Sequence, residues 1–518
     1  MKLLIKLLIV IVSFLGIIDA SFLSYEKLTG HIPPCTVGFQ CDTVLTSKWS
    51  ILFGVPLPLY GLAFYGFTFV IAVLHFLEID HISIDAKRKL HTADLQLILA
   101  MFGICFSLYL VSIMGLVLHA WCLYCLLSAL CCLTLFVLNV MQWHMQKKIC
   151  VCSASSPKTV IFSWLYAHIA KPLFFMIDAE VVHIAMTRVG AFLGRFALSQ
   201  QLTRWMFFYG DKQLATKVDG IVFPNPVGLA AGFDYEGRLG SILPSVGFGF
   251  HTIGTVTYRS YEGNEPPRLG RFPDSKALLV NKGFKSEGAP AIIDRLKGKK
   301  FAIPTGISIG STNAVYATLN DQIDDIVKCF KLFEASTVKH AYYELNISCP
   351  NTQGGQPFTT PQRLNALLTK LKNLHIKRPV YIKMPIDLSQ KETNSLLQIA
   401  SAYSFIKGVI FGNLTKDHSN PDVAKHDRDR WNQVKGNLSG KPTWNRSNAL
   451  IAFTKKKYGK RFTIIGTGGI FTPEDAQTKL ELGADLVQLI TGMIYEGPQL
   501  IGEINRHFSK VAGNNLKK

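Results

Sequence analysis

The first third of the chain consists of four long apolar segments separated by shorter polar stretches. These segments are Leu3–Phe22, Ile51–Leu77, Leu95–His119 and Leu123–Val140. Each comes close to the roughly 20 apolar residues that a helix needs to cross a bilayer. The pattern therefore predicts an all-α bundle of four transmembrane helices in residues 1–146. The first segment also fits a cleaved signal peptide, with Ala20-Ser21 as a weak cleavage site.

Basic residues flank the four segments unevenly and predict their orientation. Lys2 and Lys6 precede the first segment, Lys87–Lys89 separate the second from the third, and Lys147-Lys148 follow the fourth. Under the positive-inside rule, both ends of the bundle and its middle loop lie in the cytoplasm. We expect a multi-pass membrane protein, in a bacterial inner membrane, whose remaining chain is cytoplasmic.

Four cysteines fall on the outer side in this topology. Cys35 and Cys41 lie in the first outer loop, and Cys122 and Cys125 form a Cys-x-x-Cys at the outer end of the fourth segment. The outer compartment permits disulfides, and a Cys-x-x-Cys at a helix N-terminus exchanges readily. The spacing therefore favours redox chemistry. Zinc is the alternative for four cysteines, but neither flank resembles a zinc knuckle.

These cysteines belong to a wider set of motifs. The set comprises Cys35-x5-Cys41, Ser47, Phe53-Gly-Val-Pro56, Tyr60-Gly61 and Trp121-Cys-Leu-Tyr-Cys125. It resembles the vitamin K epoxide reductase family over about residues 5–145. The resemblance implies that Cys122 and Cys125 are a catalytic pair beside a bound quinone. It also implies that Cys35 and Cys41 relay electrons from a thioredoxin-like dithiol protein on the outer side. The alternative is a membrane anchor with structural disulfides.

Two short regions connect this part of the chain to the rest. Residues 147–160 are polar and contain Ser153-Ala-Ser-Ser-Pro157, which predicts a linker. Residues 161–210 return to a helical pattern, broken at Pro172, with one apolar face and scattered cations. Helices of this kind lie on membrane lipid. Ordinary packing of the same face against a neighbouring domain is the alternative.

Residues 211–518 alternate short apolar, β-rich runs with longer helical patterns, which is typical of a parallel α/β fold. Eight runs are predicted to be strands: Gly228–Phe233, Phe250–Val256, Ile303–Ile309, Tyr342–Ile347, Val380–Met384, Gly408–Gly412, Phe462–Gly466 and Leu486–Ile490. Eight is the number that a (β/α)8 TIM barrel needs. An open doubly wound sheet is the alternative.

Small and polar residues follow the predicted strands, on the face where such barrels carry their sites. The fourth strand leads into Asn346-Ile-Ser-Cys-Pro-Asn-Thr352, where amide side chains suit a planar polar ligand. Cys349 between them is a candidate nucleophile or proton acceptor. Gly468-Gly469 and Thr491-Gly492 leave backbone N–H groups available for a phosphate. Lys383 at the end of the fifth strand is placed to stabilise negative charge on a cofactor ring.

The charge distribution narrows the choice of partners. Residues 1–150 hold nine Lys and Arg against seven Asp and Glu, so +18 of the formal net charge of +20 lies beyond residue 150. A basic, tethered domain suits an anionic membrane surface or an anionic small substrate. No nucleic-acid recognition motif is present in the sequence, so we expect no nucleic-acid partner. We also predict no metal site.

Taken together, the second part of the chain resembles the dihydroorotate dehydrogenase family from about residue 165 to 508. The matching segments are Gly228-Leu-Ala-Ala-Gly-Phe-Asp234, Ile253-Gly-Thr-Val-Thr257, Asn346–Thr352, Asn437-Leu-Ser-Gly-Lys-Pro442, Ile465-Gly-Thr-Gly-Gly469 and Tyr495-Glu-Gly-Pro498. The amphipathic helices resemble those of the membrane-bound, quinone-using class, in which they form a quinone tunnel.

That resemblance implies oxidation of dihydroorotate to orotate, with FMN as cofactor, quinone as electron acceptor and Cys349 as proton acceptor. The implied FMN-binding residues are Ala231, Gly232, Thr255, Asn346, Lys383, Gly412, Gly440, Gly468, Gly469, Thr491 and Gly492. The implied substrate-binding residues are Asn281, Asn346, Asn351 and Asn413.

The chain departs from the family mainly on the pyrimidine side. The quinone-using class has serine at Cys349, and the family has a substrate-side lysine at Tyr235. Its Asn-Arg-x-Gly-Phe-Asn motif reads Val280-Asn-Lys-Gly-Phe-Lys285 here. Ser308 replaces an Asn and Leu414 a Thr. These changes leave another cyclic amide or dihydropyrimidine as the alternative substrate.

Overall fold

The computed structural model describes residues 2–31, 33, 35, 39–77, 81–85, 88–147 and 157–515. The chain divides into two compact units, Met1–Pro157 and Lys158–Lys518. The central part of the predicted linker, residues 148–156, lies outside the described residues, as does Lys87.

The first unit is a helical bundle. Its helices are α1 (Lys2–Thr29), α2 (Cys41–Thr46), α3 (Leu57–Phe76), α4 (Thr92–Ile113) and α5 (Leu123–Lys147). Its short strands are β1 (Ile51–Leu52), β2 (Val55–Pro56), β3 (His81–Asp85) and β4 (Arg88–His91). Four helices in the described residues are long and apolar enough to cross a membrane: Ile5–Thr29, Leu57–Phe76, Asp94–Leu118 and Leu123–Gln142. The predicted four-helix bundle is therefore confirmed.

The second apolar helix begins later than the sequence pattern suggests. Residues 51–56 form a hairpin, whose turn residues Phe53 and Gly54 have φ of 50° and 81°. Two consecutive residues at positive φ form the tight turn that joins adjacent antiparallel strands. The prediction of a helix starting at Ile51 was wrong for this reason. Pro58 lies in the first turn of α3, where a residue without an N–H is tolerated.

Close approach of α1 and α3 holds the centre of the bundle. The Tyr65 side chain is buried, and its hydroxyl donates a hydrogen bond to the Ser128 carbonyl oxygen at 2.8 Å. A Cβ at Gly16 would overlap the Tyr65 ring. One aromatic residue of α3 therefore packs against a glycine of α1 and hydrogen-bonds to α5.

The second unit begins with short helices. They are α6 (Pro157–Leu165), a π-helical turn at Tyr166–Ala170, α7 (Lys171–Met176), α8 (Ala179–Leu193) and α9 (Ala197–Phe207). The regular α-helix is interrupted just before Pro172 by the π-helical turn, and this proline lies in the first turn of α7, where no N–H donor is needed. The chain then leaves the helical conformation at Ile177-Asp178. There Asp178 Oδ1 accepts from the backbone N–H groups of Glu180 and Val181 at 2.9 and 3.1 Å.

The remaining strands of the second unit are β5 (Thr216–Val218), β6 (Ile221–Phe223), β7 (Val227–Leu229), β8 (Phe250–Val256), β9 (Leu269–Phe272), β10 (Ala277–Val280), β11 (Thr305–Ile309), β12 (Tyr342–Asn346), β13 (Val380–Met384), β14 (Ile406–Phe411), β15 (Asn437–Gly440), β16 (Thr463–Thr467) and β17 (Leu486–Leu489). Eight of them form a closed parallel barrel in the order β11-β12-β13-β14-β16-β17-β7-β8. The TIM barrel prediction is confirmed, and the open doubly wound sheet is excluded.

Helices surround this barrel. They are α10 (Leu243–Val246), α11 (Ala289–Leu296), α12 (Leu319–Ala335), α13 (Pro361–Lys372), α14 (Gln390–Ser401), α15 (Lys425–Trp431), α16 (Trp444–Tyr458), α17 (Pro473–Glu481), α18 (Thr491–Glu496) and α19 (Gln499–Asn515). Buried aromatic and branched side chains pack together inside: Phe223, Phe250, Tyr342, Tyr381, Ile410, Ile465 and Leu486. A separate antiparallel sheet, β15-β10-β9, carries Val280, Ser439 and Gly440 to the site described below.

Candidate active site

A cavity of about 310 Å³ lies at the C-terminal ends of the barrel strands. All eleven residues proposed above to bind FMN line it: Ala231, Gly232, Thr255, Asn346, Lys383, Gly412, Gly440, Gly468, Gly469, Thr491 and Gly492. Cys349, Asn351 and Asn413 line it as well. The structure therefore gathers residues that lie more than 250 positions apart in the chain around one space.

Asn281 is the exception among the predicted substrate-binding residues. Its side chain is buried outside the lining, while its neighbours Val280 and Lys282 line the cavity. The Asn281 Oδ1 accepts a hydrogen bond from Asn264 Nδ2 at 2.9 Å. Asn281 directly follows the end of β10, and its amide bonds to Asn264 in this arrangement. The cavity lining therefore gives no support to a substrate-binding role of Asn281, which stays a prediction.

Ser348, just after β12, orients the amide side chains of Asn346 and Asn413. Its backbone N–H and its hydroxyl donate to Asn346 Oδ1 at 3.2 and 3.0 Å. The Asn346 Nδ2 donates to Thr255 Oγ1 at 2.9 Å, and Asn413 Nδ2 donates to Ser348 Oγ at 2.5 Å. These contacts set the orientation of both amides. The sequence analysis missed Ser348, although its place between Asn346 and Cys349 was a signal.

A second asparagine cluster positions Asn351. Its Nδ2 donates to the Val280 carbonyl oxygen at 2.9 Å, and its Oδ1 accepts from Asn437 Nδ2 at 2.5 Å. Its carbonyl oxygen accepts from Asn264 Nδ2 at 2.9 Å. The antiparallel sheet β15-β10-β9 thus holds the loop that contains Cys349. Asn264 and Asn437 were not predicted to have a role.

Lys383 is a buried cation at the cavity, and its partner was also missed. Its Nζ lies 3.6 Å from Oε1 of the fully buried Glu344, which accepts a 2.7 Å hydrogen bond from Ser308 Oγ. Burying a charge is unfavourable unless it is paired, so Glu344 stabilises the ammonium in place. A glutamate within the apolar strand Tyr342–Leu345 was the available sequence signal.

The surroundings of Cys349 disfavour its thiolate form. Burial raises the pKa of the Cys349 thiol to about 11. The backbone hydrogen bond at Asn351 and the charge of Lys383 act in the opposite direction but do not offset burial. Cys349 is therefore a protonated thiol at neutral pH.

The remaining wall of the cavity is apolar and comes from the short helices. It includes Tyr166, Phe174, Phe175, Val182 and Met186. Ion pairs hold α8 to the segments that contain Arg268 and Lys282. Glu180 Oε1 lies 3.0 Å from Lys282 Nζ and 3.3 Å from Arg268. Lys282 Nζ also lies 5.1 Å from the centre of the Tyr235 ring, a cation–π contact. One side of the cavity is thus polar and the other suits an apolar ligand.

In the first unit, the two cysteine pairs lie in one cluster. Cys35 and Cys41 form a disulfide with a Cα–Cα distance of 6.0 Å. The buried Cys41 and Cys122 share a hydrophobic cluster, with Cys35 and Cys125 packed against it. The Gln40 N–H donates to the Trp121 carbonyl oxygen at 2.8 Å, which ties the loop to the Cys-x-x-Cys. The two cysteine pairs are therefore neighbours in the bundle.

Comparison with known proteins assigns each part. The sequence model of the family described as dihydroorotate dehydrogenase matches residues 213–511, and that of the vitamin K epoxide reductase family matches residues 7–140. The chain belongs to the dihydroorotate dehydrogenase family. It joins a barrel of this family to a membrane segment resembling vitamin K epoxide reductases.

Individual relatives agree with this assignment. The chain is 37% identical over 351 residues to a dihydroorotate dehydrogenase (quinone) of Christiangramia forsetii, covering 66% of this chain and 98% of the relative. It is 34% identical over 355 residues to one of Trichormus variabilis, covering 66% and 93%. A dihydroorotate dehydrogenase structure from Eimeria tenella in complex with ferulenol shares the fold, with a TM-score of 0.56, 22% identity and coverage of 65% and 92%.

The dihydroorotate dehydrogenase barrel fits the FMN that the family resemblance implies. Thr467 Oγ1 is buried, lies in the cavity lining and has no hydrogen-bond partner among the described residues. Gly468 has φ of +92°, and a Cβ at Gly492 would overlap the Ile470 carbonyl oxygen, so both turns require glycine. An unpaired hydroxyl, tight glycine turns and the cation Lys383 suit a ring and a phosphate. These residues would hold the cofactor.

We predict that Thr467→Val weakens FMN binding about three- to tenfold, because one hydrogen bond contributes about 0.5–1.5 kcal/mol. Flavin fluorescence on dilution of the purified protein measures the affinity. Thr454→Val is the matched control, since Thr454 Oγ1 is also buried and unpaired among the described residues but lies outside the cavity lining. Equal affinities in the two variants would contradict the assignment of Thr467.

Proposed function

We propose that the barrel oxidises dihydroorotate to orotate in pyrimidine biosynthesis, with FMN as cofactor and a membrane quinone as electron acceptor. The observation that carries this proposal is the single cavity lined by the flavin-side residues together with Cys349, Asn351 and Asn413. Similarity to quinone-using relatives over more than nine-tenths of their length supports it.

The residues divide the chemistry between them. Bound FMN supplies a two-electron acceptor for the hydrogen at C6 of the substrate. Cys349 takes the C5 proton, while the amides of Asn351 and Asn413, oriented by Asn437 and Ser348, hold the pyrimidine. The thiol is protonated at neutral pH, so it must lose its own proton before it acts as a base.

The apolar wall supports quinone as the second substrate. Phe174, Val182 and Met186 face the same cavity as Lys383 and Cys349. A hydrophobic molecule that approaches along α7 and α8 would reach the flavin side without crossing the polar pyrimidine side. Exposed apolar residues on α8 and α9, such as Val189, Phe192 and Leu198, suit contact with membrane lipid.

For the first unit we propose quinone-linked dithiol oxidation. Cys122 and Cys125 would reduce a quinone, and Cys35 and Cys41 would relay electrons from a thioredoxin-like protein outside the membrane. The shared cluster of the two pairs supports this. The barrel would lie on the cytoplasmic side, with residues 1–146, 147–160, 161–210 and 211–518 as bundle, linker, membrane-surface helices and barrel.

One feature favours a second candidate substrate. Tyr235 occupies the position of the family's substrate-side lysine, and the nearby Lys282 is already paired with Glu180. A substrate without a carboxylate, such as another cyclic amide, would need no cation there. In that version the first unit serves only as an anchor.

Dihydroorotate is expected to bleach the flavin of the anaerobic full-length protein faster than dihydrouracil does. A short-chain ubiquinone should then restore the oxidised spectrum. Stopped-flow absorbance measures both steps. Faster bleaching by dihydrouracil would favour the cyclic-amide alternative, and a preparation without flavin would exclude both versions.

Replacement of Cys349 tests the proton acceptor. Cys349→Ala should retain FMN but slow flavin reduction by dihydroorotate about 100-fold or more, in line with the contribution of a positioned base. In the wild type, the rate should rise about tenfold per pH unit below the pKa of about 11, because only the thiolate accepts the proton. A flat profile between about pH 7 and 10, or full activity of the alanine variant, would exclude this role.

Cys122→Ala should abolish reduction of a short-chain ubiquinone by dithiothreitol and leave dihydroorotate oxidation intact. The physical reason is that a single thiol cannot form the intramolecular disulfide. Cys105→Ala is the control, since Cys105 is an exposed free thiol on α4. If Cys122→Ala keeps the dithiothreitol activity, the first unit is an anchor.

A further inference from the structure

An unpaired carboxyl lies inside the first apolar helix. Asp19 is within the candidate span Ile5–Thr29, and its side chain is 8% exposed. Its Oδ2 has no hydrogen-bond partner among the described residues. A carboxyl group within a membrane span is energetically unfavourable, and such residues usually act in proton or ion transfer. Asp19 has no part in the chemistry assigned so far.

Neighbouring contacts place Asp19 beside the Cys-x-x-Cys. Phe22, one helical turn later on α1, contacts Tyr124 with ring centres 5.5 Å apart. Ala20 packs in the same buried cluster as Cys131 and Cys132. The Asp19 carboxyl therefore lies near the first turns of α5, close enough for its charge to act on the thiols of Cys122 and Cys125.

Asp19 has no ion-pair partner in the described part of the bundle. The nearest lysine along α1 is Lys27, two turns away, whose Nζ donates to the Leu45 carbonyl oxygen at 2.6 Å and lies 3.2 Å from Ser50 Oγ. Tyr65, a titratable group in the buried centre of the bundle, has its own partner, because its hydroxyl donates to the Ser128 carbonyl oxygen. A carboxyl that faces thiols and no cation is placed to exchange protons with them.

We propose that Asp19 accepts a proton from the Cys122–Cys125 pair when a quinone oxidises this dithiol, and passes that proton to the quinone. Two S–H bonds break and one S–S bond forms, and the quinone gains the two electrons and two protons that the thiols lose. One of these protons travels through the Asp19 carboxyl, which ends the cycle unchanged. This role rests on the proposed quinone-linked dithiol oxidation.

The test compares Asp19→Asn, Asp19→Glu and wild type in the full-length protein. The assay is reduction of a short-chain ubiquinone by dithiothreitol. Asn keeps the size and polarity of the side chain but cannot exchange a proton, so we expect the rate to fall about 100-fold. Asp19→Glu should keep at least a tenth of the wild-type rate. Dihydroorotate-dependent flavin reduction should stay unchanged in all three, which checks that the barrel is intact, while the activity recovered in Asp19→Glu checks that the bundle folds.

A matched control separates proton transfer from packing. Asn139 on α5 is also buried, with an Oδ1 that lacks a partner among the described residues. Asn139→Ala should keep the dithiothreitol activity within about twofold. Wild-type rates in Asp19→Asn, or an equal loss in Asp19→Glu and Asp19→Asn, would overturn the proposal while leaving dithiol oxidation in place.

A second measurement follows one oxidation event instead of steady turnover. Infrared difference spectra recorded while a quinone oxidises the dithiol should contain a transient carboxylic acid C=O band that shifts in Asp19→Glu and disappears in Asp19→Asn. A spectrum without this band in the wild type would overturn the role of Asp19. Absence of dithiothreitol activity in the wild type, with Cys122 and Cys125 intact, would instead remove the proposed dithiol oxidation and this role with it.

Discussion

Closure of the barrel is the constraint on which the candidate active site depends. The pairing of β17 with β7, with Leu489 opposite Leu229, places the last strand beside the first. This pairing brings Thr491 and Gly492 into the same lining as Ala231 and Gly232. Without closure these residues would lie at opposite edges of an open sheet, and no single cavity would receive all the strand ends. The hydrogen bonds that complete the barrel therefore also assemble the site.

Most polar side chains around the cavity form hydrogen bonds or ion pairs with one another, which fixes their orientation. Ser348 holds two amides, and Glu344 holds Lys383 and accepts from Ser308. Such networks rigidify a site because each member restrains the next. Thr467 in the barrel and Asp19 in the bundle each keep a buried oxygen without a partner among the described residues, as several other side chains do. Their surroundings set these two apart, because Thr467 lines the cavity and Asp19 lies near the Cys-x-x-Cys.

Under the proposed function, the two units would use one kind of electron acceptor in different ways. In the barrel, apolar side chains from α7 and α8 and polar side chains from the strand ends line one cavity, which would suit both a quinone and a pyrimidine. In the bundle, two cysteine pairs share one buried cluster beside a carboxyl group. A common quinone pool is a chemical reason to join such units in one chain, because both reactions release two electrons and need a lipid-soluble carrier.

The sequence alone determined the four apolar helices, the eight strands and the glycines, amides, thiol and lysine that line the polar part of the cavity. The length of an apolar segment, the alternation of apolar and polar residues and the glycines of turns are properties of short segments, so they can be recognised in the sequence. The start of α3, the break at Ile177-Asp178 and the position of Asn281 outside the cavity lining depended on turn geometry and strand register, which a motif does not specify. Only the tertiary structure decided the partners: Glu344 beneath Lys383, Ser348 between two amides, burial that raises the pKa of Cys349, and Asp19 beside the thiols. These contacts join segments that are distant in the sequence. They form because folding removes the polar groups from water, so that each group needs a partner within the protein.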